Sequence, residues 1–207
     1  MNENKCIVLI YIILFFGIAG HFIGSLFNLM LWITPIVLLI LGLFVIFSSK
    51  KYLSKNFIYW FILAYSFTLT IEITGVWTGI IFGKYSYGDV LGYKLFGVPL
   101  IIGFNWMLVI LGAVNISSKL SSNFYYISLI CGMLGVMFDF ILEPVAVKFG
   151  YWQWSNNIIP LQNYLAWFLV SFLISFSIRY FKINIYSKVF IHYFTGLILF
   201  FLILNFK

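Results

Sequence analysis

Apolar residues do not alternate along this chain; they come in long unbroken runs separated by short polar breaks. The runs cover roughly 6–24, 29–47, 57–75, 98–114, 124–147, 161–180 and 187–205. Each has about 18 or more residues, or close to it, which suffices to cross a bilayer as a helix. The pattern therefore predicts an all-α, polytopic membrane bundle of about seven transmembrane helices, with residues 1–207 forming a single integral membrane domain. The first run follows "MNENK" as a signal peptide would. It has no convincing small-residue cleavage site, and its "GIAGHFIG" reads as a helix-packing surface, so it is expected to be retained.

Composition agrees with this picture. The chain is 64% hydrophobic and 8% charged, which excludes an ordinary soluble surface. Its net charge of +7 could suggest nucleic acid, but the distribution argues against that partner. With seven spans, Lys5, Lys50, Lys51, Lys55, Lys119, Arg179, Lys182 and Lys188 fall on one side, and Lys84, Lys94, Lys148 and Lys207 on the other. The positive-inside bias then places the N-terminus in the cytoplasm and the C-terminus outside. Cys6 and Cys131 lie in apolar surroundings at different depths, and no disulfide, metal motif or cofactor is expected.

The polar residues gather at one end. Of five carboxylates, three close apolar runs: Glu72 in "FTLTIEITGVWTG", and Asp139 and Glu143 in "MFDFILEP". Burying a carboxylate is costly unless it is paired, hydrogen-bonded or protonated, and acids within membrane spans are functional by default. Asp139 and Glu143 are four residues apart, hence on one helical face. Gly132 and Gly135 share nearly that face and let a neighbouring helix approach. Pro144 is expected to leave the carbonyl of Phe140 without its usual partner, completing a polar pocket. The competing reading pairs one or both acids with Lys148 or Lys84. Trp32, Trp77, Trp106, Trp152, Trp154 and Trp167 fall near the same outer side, with Trp60 alone on the other. That exceeds what interfacial anchoring requires. His21, among Gly17, Gly20 and Gly24, reads as a packing histidine with a supporting role, and His192 as structural.

An internal repeat links the acids. Glu72 is followed eleven residues later by Gly83 in "FGKYSY", and Asp139 eleven residues later by Gly150 in "FGYWQW". "VPLIIGFNWMLV" (98–109) and "IPLQNYLAWFLV" (159–170) then match at five of twelve positions, including Pro99 with Pro160 and Trp106 with Trp167. The units 57–114 and 124–180 are thus expected to be parallel helix hairpins that bring Glu72 and Asp139 to equivalent places around one cavity. Tyr85, Tyr87, Trp77, Trp106, Trp152, Trp154 and Trp167, with the polar Asn105, Gln162 and Asn163, would line it.

Such a cavity suits one chemistry in particular. A carboxyl group in an apolar wall favours its neutral form and can act as an acid. Aromatic faces stabilise positive charge by about 0.5–2 kcal/mol each. Together they could protonate an alkene and shelter the carbocation while a second carboxylate orients a water. Asp139, one turn deeper than Glu143, is the expected donor, with Glu72 across the cavity; the substrate would be a lipid-soluble polyene isoprenoid. A cyclase or isomerase shares the protonation step. A proton-coupled transporter or a polyene-binding membrane protein would use the same residues differently, although the cytoplasmic halves of the helices read as nearly all apolar. An opsin is excluded because "HYFTGLILFFLILNF" has no Schiff-base lysine, and no phosphate loop, Asp-rich Mg²⁺ motif or nucleophile–base pair is visible.

"EITGVWTGIIFGKYSYGDVLG" (72–92) and "DFILEPVAVKFGYWQW" (139–154) resemble the signature blocks of the membrane carotenoid biosynthesis proteins, a family that includes carotenoid hydratases of the bisanhydrobacterioruberin hydratase type. The resemblance covers about residues 65–170. It implies hydration of a terminal isoprene double bond to a tertiary alcohol on a linear or monocyclic carotenoid. It also implies membrane lipid and other carotenoid enzymes as partners, and a bacterial or archaeal cytoplasmic membrane as the location.

Overall fold

The computed structural model describes residues 3–184 and 186–207. Among them are seven α-helices: α1 (Glu3–Phe22), α2 (Gly24–Ser48), α3 (Lys55–Thr78), α4 (Leu100–Leu120), α5 (Phe124–Lys148), α6 (Leu161–Tyr180) and α7 (Lys188–Leu204). The first six are long and apolar enough to cross a membrane; α7, at 17 residues, is slightly shorter. The bundle is polytopic and helical, as the apolar runs predict. Large apolar side chains remain exposed along its outside, including Phe15, Phe16, Trp32, Phe47 and Leu165. In water such a surface would be an aggregation hazard, whereas in a bilayer it faces its natural solvent.

Local chemistry sets the helix ends. The hydroxyl of Ser54 accepts from Phe57 N at 3.1 Å to start α3, and Asn123 Oδ1 accepts from Tyr125 N at 3.0 Å to start α5. α3 stops at Gly79, whose φ of 66° is left-handed and whose N–H returns to Gly75 O at 2.8 Å. α4 and α6 each begin directly after a proline in extended conformation, Pro99 and Pro160. α5 does not stop at Pro144 but continues a further turn to Lys148. Just past the end of α7, Asn205 Nδ2 donates to Ile141 O at 2.9 Å, the carbonyl next to that of Phe140, which Pro144 leaves without its helical N–H.

α4 is the central helix. It packs against α2, α3, α5, α6 and α7, and Met107 through Leu111 are wholly buried. α5 and α6 pack closely where Gly132 and Gly135 allow it: a Cβ on Gly132 would come within 3.1 Å of Phe168 O, and one on Gly135 would collide with Ser171. The glycines of α1 serve similarly, Gly17 against Phe200 and Gly20 against Met30.

Two short sheets cap one end of the bundle. β1 (Tyr85–Tyr87) pairs antiparallel with β4 (Trp152–Trp154), with Ser86 opposite Gln153. Gly88 N donating to Tyr151 O and Ser155 N donating to Lys84 O, both 2.9 Å, extend this ladder at either side. β2 (Lys94–Leu95) and β3 (Val98–Pro99) form a small hairpin before α4. The loops after α3 and α5 are thereby zipped together over the helix ends. At the other end of the bundle, Asn115 Oδ1 accepts from Ser187 N at 2.9 Å, and Ser49 bonds Ser187 at 2.9 Å. With Ser117, Ser128 and Ser175 also buried, that half is more polar inside than its sequence suggests.

Candidate functional site

Beneath the β1–β4 pair lies a cavity of about 20 Å³ lined by Glu72, Phe82, Tyr85, Tyr87, Trp106, Asp139, Glu143, Trp152, Trp154, Asn163 and Trp167. That is space for one water centre. Three of the chain's five carboxylates meet here, each at most 2% exposed. Among the described residues the ion pairs are Lys51–Glu3 and Lys94–Asp89, so the three acids have no cationic partner there and the Lys148 or Lys84 pairing does not form.

Neutral donors hold the acids instead. Glu72 Oε2 accepts from the hydroxyls of Tyr85 and Tyr87, the latter at 2.8 Å. Glu143 Oε2 accepts from Trp152 Nε1 at 3.0 Å and Trp154 Nε1 at 2.8 Å, and its Oε1 from Asn163 Nδ2 at 3.3 Å. Asp139 Oδ2 accepts from the same Asn163 amide at 2.6 Å. Asn163 therefore bridges the two acids of α5. Strand alternation explains the loop contacts: residues two apart on β1, and two apart on β4, point to the same face, so both tyrosines and both tryptophans face the acids while Ser86 and Gln153 point away. Burial first, and then the charge of Glu72, push the hydroxyls of Tyr85 and Tyr87 well above the ordinary tyrosine range. Both stay protonated donors throughout the physiological range.

The cavity's other wall is aromatic. Trp106 of α4 and Trp167 of α6 stack with ring centroids 3.5 Å apart and planes 13° apart. Phe82 also stacks on Trp167 at 5.2 Å, and Phe138 meets Trp106 edge-on at 5.8 Å. Phe82 was not among the residues expected from sequence. Its signal is its place at the head of "FGKYSY", one turn of loop before the tyrosines.

Some expected residues lie elsewhere. Trp77 is 67% exposed and donates from Nε1 to Phe96 O at 3.2 Å. Five residues after Glu72, it leaves α3 on another face. Asn105 sits one position before Trp106, about 100° around α4, and its Oδ1 accepts from Tyr193 at 2.8 Å in the α4–α7 contact. Gln162 reaches Ile80 O, outside the cavity. His21 is buried but belongs to the α1–α7 region, stacked on Phe149. His192 bonds Tyr11 at 3.1 Å, and the two cysteines are buried and free.

The family model described as "Carotenoid biosynthesis protein" matches residues 30–205. Among characterised proteins, the bisanhydrobacterioruberin hydratase of Haloarcula japonica is 30% identical over 115 residues. That match spans 48% of this chain and only 36% of the relative's length. No solved structure matches.

Proposed function

The chain belongs to the carotenoid biosynthesis protein family, and from that premise we propose that it hydrates a terminal isoprene double bond of a carotenoid to a tertiary alcohol. The observation that carries the proposal is the convergence of Glu72, Asp139 and Glu143, with no salt-bridge partner among the described residues, on a water-sized cavity walled by indole and phenol rings.

Donor counts support a division of roles. A hydrogen bond to a charged group is worth about 1.5–3 kcal/mol, against a burial cost of several kcal/mol per ion. Glu143, with three donors, comes near to offsetting that cost as a carboxylate. Among the described residues Asp139 has a single donor, the Asn163 amide that it shares, and it is the natural seat of the proton. Asp139 gives that proton to the less substituted alkene carbon, leaving a tertiary cation against the aromatic wall. Water adds to the cation, its surplus proton passes to Glu143, and transfer across the pair restores Asp139. Alkene plus water becomes alcohol, with nothing else consumed. Glu72, held by two tyrosines, faces the pair and supplies the negative field that favours the cation. A one-water cavity also means that the isoprene end enters only when the β1–β4 cover or the tryptophan stack yields.

The reading includes the repeat. In units 57–114 and 124–180 the equivalent strands pair about Ser86 and Gln153, and the equivalent tryptophans stack on each other, which is what two-fold related hairpins would do. The copies have diverged at the site: the loop aromatics hold Glu72 in one and Glu143, rather than Asp139, in the other.

In a host that makes lycopene, expression of this chain should yield carotenoids heavier by one water per modified end. An isomer of unchanged mass would mean cyclisation, and no change would remove carotenoid chemistry of this kind. The lysine asymmetry further orients the site away from the cytoplasm, so reporter fusions at residues 88 and 155 should read as extracytoplasmic. A cytoplasmic signal at both would invert that orientation.

A further inference from the structure

A second cavity, of about 320 Å³, lies between α1, α2 and α7. Its lining is almost wholly apolar, with Ile13, Phe16, Val37 and Phe200 among the side chains; the polar exceptions are Thr34, Tyr151 and His21. Thr34 is satisfied, donating to Met30 O at 2.7 Å, and Tyr151 interacts with Thr34. His21 is different. Its Nδ1 lies 2.7 Å from Gly17 O. A carbonyl can only accept, so Nδ1 carries the hydrogen and the neutral ring presents Nε2 as an acceptor. The ring is 4% exposed, stacked on Phe149 and edged by Phe27 and Phe200, and Nε2 is buried with no partner among the described residues.

A buried acceptor without a donor lowers stability. One water would need two or more polar partners, and besides His21 the wall has only Thr34 and Tyr151, which already bond Met30 O and each other. A hydroxyl on an apolar body satisfies both the acceptor and the wall. At about 30 Å³ per water-sized group, the cavity takes roughly ten such groups, or about two isoprene units. We infer that the α1–α2–α7 cavity is a second binding site, taking the hydroxyl end of an apolar isoprenoid alcohol, with the hydroxyl donating to His21 Nε2. The occupant would touch Tyr151 and lie one ring away from Phe149, in the segment that leads into β4. The inference does not rest on the hydration reading, since binding here requires no turnover.

The test uses the purified full chain in detergent and a diazirine-tagged farnesol, with untagged farnesol and farnesene, its hydroxyl-free counterpart, as competitors. Crosslinks should map to α1, α2 and α7, and farnesol should compete about tenfold better than farnesene, the preference that one hydrogen bond to a buried acceptor provides. His21→Phe should abolish that preference. Val37→Trp, which fills the cavity and keeps the histidine, should abolish the crosslinks, and Asp139→Asn should leave them unchanged. Labelling that maps elsewhere, survives Val37→Trp or disappears in Asp139→Asn would overturn the assignment, as would an undiminished alcohol preference in His21→Phe.

Discussion

Asp139→Asn is expected to lower hydration turnover by about 10²–10⁴-fold, the usual worth of a general acid, while the protein still inserts and folds. The substitution keeps the size of the side chain, and its carbonyl oxygen can still accept from Asn163 Nδ2, which lies 2.6 Å from Asp139 Oδ2. What it removes is the proton that opens the reaction. Glu143→Gln tests the partner role: its one amide oxygen can still take the two indole donors that Oε2 takes in Glu143, but the side chain can no longer collect a proton from the attacking water. Product per mole of folded protein, with size-exclusion behaviour in detergent as the folding control, separates these effects. Near-normal turnover in the Asp139 variant would return the acids of α5 to a structural role.

The second large effect concerns Glu72. Tyr85→Phe combined with Tyr87→Phe removes both hydroxyls that bond its Oε2, leaving a carboxylate that is 2% exposed with neither of its present donors. Stranding a buried charge in this way costs about 3–5 kcal/mol, so the unfolding midpoint in detergent should fall clearly and turnover should fall with it. The control is the same pair of substitutions in a Glu72→Gln background, where the acceptor is neutral and the loss should be much smaller. Equal losses in both backgrounds would show that the tyrosines act through packing and not through Glu72.

How much of this was legible in the sequence depended on what kind of contact was involved. The helices follow from runs of apolar residues, because a segment that must satisfy its own backbone in lipid has little alternative. The acid cluster was legible for a similar reason: a chain this poor in carboxylates that puts three at one end of its spans must compensate for them locally. The donors were harder to assign. Asp139 and Glu143 share a helical face, and spacing alone does not say that Trp152 and Trp154 reach the second rather than the first. That choice depends on how far β4 lies above α5, which is set by the pairing with β1. Trp77 and Asn105 were misplaced because nearness in sequence to Glu72 and Trp106 stood in for direction, and a helix turns a side chain by about 100° per residue. Phe82 lines the cavity but offers no polar atom to mark it in the sequence. His21 is buried against Phe149, and nothing in "GIAGHFIG" shows that one ring nitrogen is left over.

If water is added at this site, the oxygen of the product comes from the solvent. The purified chain is incubated in detergent with an acyclic carotenoid in H₂¹⁸O, and the product is weighed by mass spectrometry. Hydration here should place one ¹⁸O per modified end on the tertiary carbon, and the Asp139→Asn protein should place none. A product without ¹⁸O, or an isomer of the substrate's own mass, would contradict it.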